Sequence, residues 1–381
     1  MSRHWTRPRL LVALAGVVGL GLVGCQSKVF YLPETGAGTG DWKLAGGGAV
    51  GRSYAVQELL PPLQLLWQQN LDGMPVGGVI FSGHLALQLT TSPTLFAFDR
   101  RSGRLLGKHG IDEEVCAPPA LADHLLFYGE LGKKPILGAY DRRNLDRRWK
   151  REDYHCSHLV ARGDTLLTVS EAGEILALNT GDGAEFWELA LDERIRTGAA
   201  LGAGSAFVGT GAGELVAVRL EDGVEQWRQQ LDAGVRTRPL FAAGTVYAGS
   251  AAGTVYALDA GTGAVMWRRP LGQLLTDGFA WSPGLLAVGS VDRNLYGLDP
   301  DSGELVWSFA TAGVLRGSPA ATDGSIYCGS GDGYVYAIDT ATGGMLWRFE
   351  VDGPVYAPVS IGERMIAIAT ENKSVYVFGR P

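Results

Sequence analysis

The residues of this chain that could do chemistry are few and regularly placed. Four cysteines and six histidines are the candidates for redox, nucleophilic or metal chemistry. No CxxC pair occurs, and no cysteine and histidine set stands at zinc-ligand spacing. His155 and His158 flank Cys156, but no third ligand accompanies them, so neither a metal nor a cofactor is expected there. Cys116 and Cys156 lie 40 residues apart. Arg196, Arg236 and Arg316 stand at multiples of the same interval, with Arg238 two residues beyond the second. A guanidinium offers a planar fork that bonds carboxylates and backbone carbonyls, and Arg is enriched at recognition hot spots. These arginines therefore read as recognition groups. The net charge of −7 gives no global attraction for nucleic acid, so any basic site must be a local patch.

The interval comes from an internal repeat. Tryptophans occur at 67, 149, 187, 227, 267, 307 and 347, and Gly107 falls where another would complete the series. Upstream of these positions run alternating segments such as Thr254-Val-Tyr-Ala-Leu-Asp259 and Tyr334-Val-Tyr-Ala-Ile-Asp339. Each is followed by an Asp-x-x-Thr/Ser-Gly turn, in which the carboxylate can cap turn N–H groups and glycine supplies a positive φ. Alternation with turns every 8–12 residues signals an all-β fold. A period of 40 residues narrows it to a propeller, in which radial repetition protects sheet edges.

The count predicts eight four-stranded antiparallel blades. Eight Leu-Asp-type strands are present, the last being Ser374-Val-Tyr-Val-Phe378, and no Trp strand follows it. An orphan Trp strand, Leu63-Gln-Leu-Leu-Trp67, precedes the first repeat. If it completes the last blade, an N-terminal strand closes the ring as a monomer and no edge stays open. Stepping by 40 from Val76 reaches Cys116, Cys156, Arg196, Arg236, Thr276, Arg316 and Tyr356. These positions should ring one mouth of the channel, one per blade, where the chain starts each inner strand. On that arithmetic Cys116 and Cys156 form an inter-blade disulfide, which requires Cα atoms about 4.4–6.8 Å apart. The alternative is two free, half-buried thiols. Cys328 falls in a second-strand position and should stay unpaired. For the arginines, the competing reading is pairing with nearby acids such as Asp192, Glu193 or Asp232.

The N-terminus adds an address. Arg3, Arg7 and Arg9 precede an uncharged run from Leu10 to Val23, 14 residues long and too short to span a bilayer, which needs ~20. It ends in Leu22-Val23-Gly24-Cys25, which resembles the bacterial lipobox. That resemblance implies a signal peptide over 1–24, an acylated Cys25, and, with Gln26 rather than Asp next, retention at the periplasmic face of the outer membrane. Residues 25–61 then form a Gly-rich tether and N-terminal segment, and 62–381 the propeller.

The Ala-Leu-Asp-x-x-Thr-Gly-x-x-x-Trp pattern resembles the repeat of the pyrroloquinoline-quinone (PQQ) dehydrogenase superfamily. Those enzymes use adjacent cysteines against the quinone and a Ca²⁺ held by Glu, Asn and Asp. No adjacent cysteine pair exists here. Length and lipobox are most similar to a non-catalytic branch, the BamB family, whose members are lipoproteins of the outer-membrane β-barrel assembly machinery. That resemblance implies no enzyme activity, no cofactor, and a scaffold that binds periplasmic domains of the barrel-inserting subunit or another envelope protein. Ile195 and Arg196 match part of the family's partner-contact run, whereas Glu193 stands where the family prefers an apolar residue. The family's acidic insertion does not fit in the short Gln230–Arg236 segment. The alternatives are a propeller that binds a small molecule or glycan in its channel, and a degenerate quinoprotein.

Overall fold

A computed structural model describes residues 55, 59–115, 117–152, 154 and 157–380. Cys25, the expected signal peptide over 1–24, most of the expected tether, and Cys116, His155 and Cys156 lie outside the described residues. The described chain forms 32 strands in eight four-stranded antiparallel sheets and contains no helix. Blades 1 to 7 follow chain order and each runs from the channel outwards. Blade 4, for example, comprises Ala200–Gly202, Ser205–Gly209, Glu214–Arg219 and Glu225–Gln230. Blade 8 takes its outer strand, Gln64–Asn70, from the start of the chain. That closing strand pairs antiparallel with Ser374–Gly379, opposing Trp67 to Val377. Gln68 Nε2 donates to the Tyr376 hydroxyl at 2.8 Å across the same seam. The ring therefore closes through the N-terminal strand, as the strand count requires.

Burial follows from the stacking of blades face to face. The second strand of each blade is covered on both sides, so Ser205–Gly209 and Ser325–Gly329 are buried throughout. Outer strands keep one face in solvent, as in Glu225–Gln230 and Val265–Pro270. Cys328 is a free, buried thiol in a second strand, and burial, aided by Asp332, raises its pKa to about 12.

The repeated turn holds neighbouring blades together. Asp259 Oδ1 accepts from the Gly261 and Thr262 amides at 3.2 and 2.8 Å and from the Thr262 hydroxyl at 2.8 Å. Asp339 is bonded in the same way, and in both the Thr hydroxyl bond leads in holding the carboxyl below its ordinary value. Gly263 ends the turn at φ 74°, and a Cβ there would fall 2.6 Å from the Trp227 ring of the preceding blade. Backbone conformation and packing thus both require glycine. The indole N–H completes the clasp. Trp227 Nε1 donates to Ala260 O at 2.9 Å, and Trp67, Trp149, Trp187, Trp267 and Trp307 do the same to the turn of the next blade at 2.8–3.0 Å.

Two joints depart from this plan. In blade 8 no outer turn follows Ser374–Gly379 among the described residues. Leu59 and Leu60 occupy that place: Leu59 O accepts from the Tyr327 hydroxyl and Leu60 O from Arg380 Nε at 3.0 Å. Between blades 1 and 2 the tryptophan itself is missing. Gly107 opposes Ala97 in the register that Trp227 and Trp267 occupy opposite Ala217 and Ala257. The facing turn of blade 2 carries Leu145 in place of glycine, at φ 59° and 4% exposed, packed in the cluster shared by the two blades. A branched side chain is held in the left-handed region because it fills the space an indole fills elsewhere.

This exchange predicts non-additive energetics. Leu145→Gly should destabilise by about 2 kcal/mol, as cavity formation outweighs relief of the positive φ. Gly107→Trp alone should also destabilise, because Leu145 occupies the ring's place. The double variant should recover most of the loss, giving a coupling above about 1 kcal/mol in urea unfolding. Additive losses would show that Leu145 is not the substitute.

Candidate functional site

The functional candidates lie at one end of the channel, where the outer strand of each blade crosses to the inner strand of the next. The local pattern there is an aliphatic plug followed by a channel-facing residue. Ile195, Val235, Leu315 and Val355 are fully buried. Three of them seat against a glycine near the end of a second strand: a Cβ on Gly209 would lie 2.3 Å from Val235, one on Gly289 2.9 Å from Leu315, and one on Gly329 2.1 Å from Val355. Strand alternation then turns the next residue outwards. Arg196, Arg236 and Arg316 are exposed at the mouth, and Tyr356 takes the corresponding place in blade 8. The sequence expectation that Ile195 contacts a partner directly is corrected here. Its side chain is the plug that positions Arg196, and it forms an isolated bridge with Thr210.

Thr276 also departs from the repeat arithmetic. Its hydroxyl accepts from the Gly289 amide at 3.2 Å, the role Thr237, not Arg236, plays towards Gly249 at 2.7 Å. The inner strand Leu275–Ser282 is irregular between Leu275 and Phe279, and the slip brings Asp277 onto the channel wall. The mouth is thus not purely basic. Asp277 is wetted by the channel but enclosed by protein. Burial raises its pKa, opposed by the charges of Arg316 and Arg236.

The arginines are not neutralised by the acids nearest in sequence. Asp232 is instead engaged by the Thr254 hydroxyl at 2.6 Å. Among the described residues, Arg196, Arg236 and Arg316 lie within 4.0 Å of no carboxylate. The Arg316 guanidinium lies 4.7 Å from the Tyr356 ring centroid, a cation–π contact. Arg238 lies deeper: its Nε donates to Ala199 O at 3.1 Å, and burial lowers its pKa to about 10. His158 faces it across the funnel. Burial, reinforced by the Arg238 charge, lowers the His158 pKa to about 4, so the ring is neutral near pH 7. Arg196, Arg236, Arg238, His158, Asp277 and Tyr356 line a cavity of about 410 Å³ together with Thr197 and Glu371. The 40-residue step put Tyr356 in this ring with the arginines; it did not bring Thr197, Asp277 or His158 to the site.

The geometry can be set beside known proteins. A family model described as outer membrane protein assembly factor BamB matches residues 63–172, 171–274 and 251–379, which together span the ring. The chain belongs to the BamB family. Among solved structures, BamB from Moraxella catarrhalis is 18% identical, covers 84% of this chain and 100% of its own, and superposes with a TM-score of 0.71. A quinohemoprotein alcohol dehydrogenase from Pseudomonas putida HK5 is 14% identical, with 90% and 80% coverage and a TM-score of 0.75. At these identities the likeness is one of fold, which BamB shares with quinoprotein dehydrogenases. No curated protein matches the sequence. Within this BamB-family ring, Ile195 is structural and Arg196 is the member of the pair available to a ligand.

The depressed His158 pKa carries a sign. The unfolded chain takes up the His158 proton near pH 6.5 and the folded chain only near pH 4. Stability from this residue is therefore present above pH 6.5 and falls as pH drops through that window. An NMR titration should place His158 well below an ordinary histidine, and His158→Gln should flatten the stability slope over the same interval. A His158 midpoint near 6.5 would refute the assignment.

Proposed function

We propose that this chain is a non-catalytic scaffold lipoprotein of the outer-membrane β-barrel assembly machinery. In this reading a lipid on Cys25 holds it at the periplasmic face of the outer membrane. The channel-mouth arginines Arg196, Arg236 and Arg316, with Arg238 behind them, dock a periplasmic domain of the barrel-inserting subunit. The observation that carries the reading is the BamB-family match across the whole ring, with Arg196 of the Ile195-Arg196 pair exposed and unpaired among the described residues. A rigid propeller supplies a preorganised face, so little ordering cost opposes docking. The lack of an adjacent cysteine pair supports a role without quinone chemistry.

Charge reversal tests the docking face. Arg196→Glu combined with Arg236→Glu should cut co-purification of the barrel-inserting subunit by about tenfold or more. Both side chains are exposed, so the thermal midpoint should move by less than about 2 °C. Undiminished co-purification would move the docking site elsewhere, and a large loss of stability would make the arginines structural.

Membrane attachment is tested separately. Labelled palmitate should be incorporated into the wild type and not into Cys25→Ala, because several acyl chains at ~0.8 kcal/mol per buried CH₂ anchor firmly. Labelling of the variant would exclude Cys25 as the anchor.

A further inference from the structure

The funnel contains a polar atom that the fold does not use. Thr197 is 5% exposed and lines the cavity, yet its Oγ1 has no hydrogen-bond partner among the described residues. The hydroxyls of Thr237 and Thr276, one and two blades on, are both satisfied by a glycine amide at the end of a second strand. Blade 4 therefore departs from its neighbours where the cavity is most basic. A buried hydroxyl left without a partner is destabilising and uncommon in native proteins, so its retention requires an account. Beside it, the side chains of Arg196 and Arg236 make no hydrogen bond or ion pair among the described residues. The cavity of about 410 Å³ falls in the range that holds small ligands.

We propose that this funnel is a binding site for a small oxyanion-bearing molecule, a carboxylate or phosphate ester, whose anionic group lies between Arg196 and Arg236 and accepts a hydrogen bond from the Thr197 hydroxyl. Guanidinium groups match both oxyanions through paired N–H donors. Asp277 and Glu371 line the same cavity, so hydroxyl or amine donors on the ligand find acceptors there as well. The inference goes beyond the docking reading: it shares Arg196 and Arg236 with that reading, but Thr197 and the cavity have no part in docking.

Calorimetric titration of the mature full-length protein with citrate and with inorganic phosphate tests it, using sodium chloride at matched ionic strength as the control. One of the two anions should bind with one-to-one stoichiometry, and which one binds distinguishes a carboxylate from a phosphate ligand. Thr197→Val removes the hydroxyl and keeps the shape. It should weaken binding about tenfold while raising the thermal midpoint of the ligand-free protein. Thr197→Ser should retain the affinity, and Arg236→Gln, at an exposed position, should lose about tenfold. Binding of neither anion above the chloride control would overturn the proposal, as would Thr197→Val binding as tightly as the wild type. Co-purification of the assembly subunit by Thr197→Val should be unchanged. Failure of the docking reading would therefore appear in the pull-down and leave the titration intact.

Discussion

The structure depends on one clasp between neighbouring blades. An indole N–H reaches forward to a turn carbonyl, and the same ring lies under the turn glycine, as Trp227 does with Ala260 and Gly263. Each half constrains the other. The carbonyl is presented only if the Asp-x-x-Thr/Ser-Gly turn is capped, and the glycine is needed because any Cβ would enter the ring. The clasp is directional, from one blade to the next, and it joins blade 8 to blade 1 through Trp67 and Arg100 O. At six of the eight joints an outer strand that would be a weak edge is pinned by an aromatic side chain whose polar end is satisfied.

The site inherits its geometry from this regularity and its chemistry from departures. Clasps at the outer rim fix the blades, and aliphatic plugs at the inner rim fix where each crossover meets the channel. On that frame, alternation sends Arg196, Arg236 and Arg316 to the mouth. Asp277 reaches the wall because one inner strand slips, and Tyr356 supplies a ring for Arg316. A symmetric ring of eight arginines would repel itself strongly. Here two acids, a tyrosine and a neutral His158 make the funnel basic on one side only.

Much of this was legible in the sequence because a period of 40 writes the same contact many times. The tryptophans, the turn glycines and the closing strand are all statements of that period. The joint between blades 1 and 2 was not legible. Gly107 and Leu145 exchange roles across blades, and nothing local to either residue announces the other. Ile195 and Arg196 share a motif match, but only the alternation through Ile195, Arg196 and Thr197 tells which of them is buried. The slip at Thr276 arises from backbone irregularity, which residue types alone do not encode. His158 and Arg238 meet through the curvature of the ring.

The closing strand also sets an order of events in time. Gln68 and Tyr376, which meet across the seam, are separated by 308 residues. Until Ser374–Gly379 is in place the Trp67 strand has no sheet to join, and any blade formed before then leaves a face of the ring unclasped. The ring becomes a closed object only when these two strands meet. A chain built this way is vulnerable for as long as it is unfinished, and any truncation near the C-terminus costs the seam as well as the last blade.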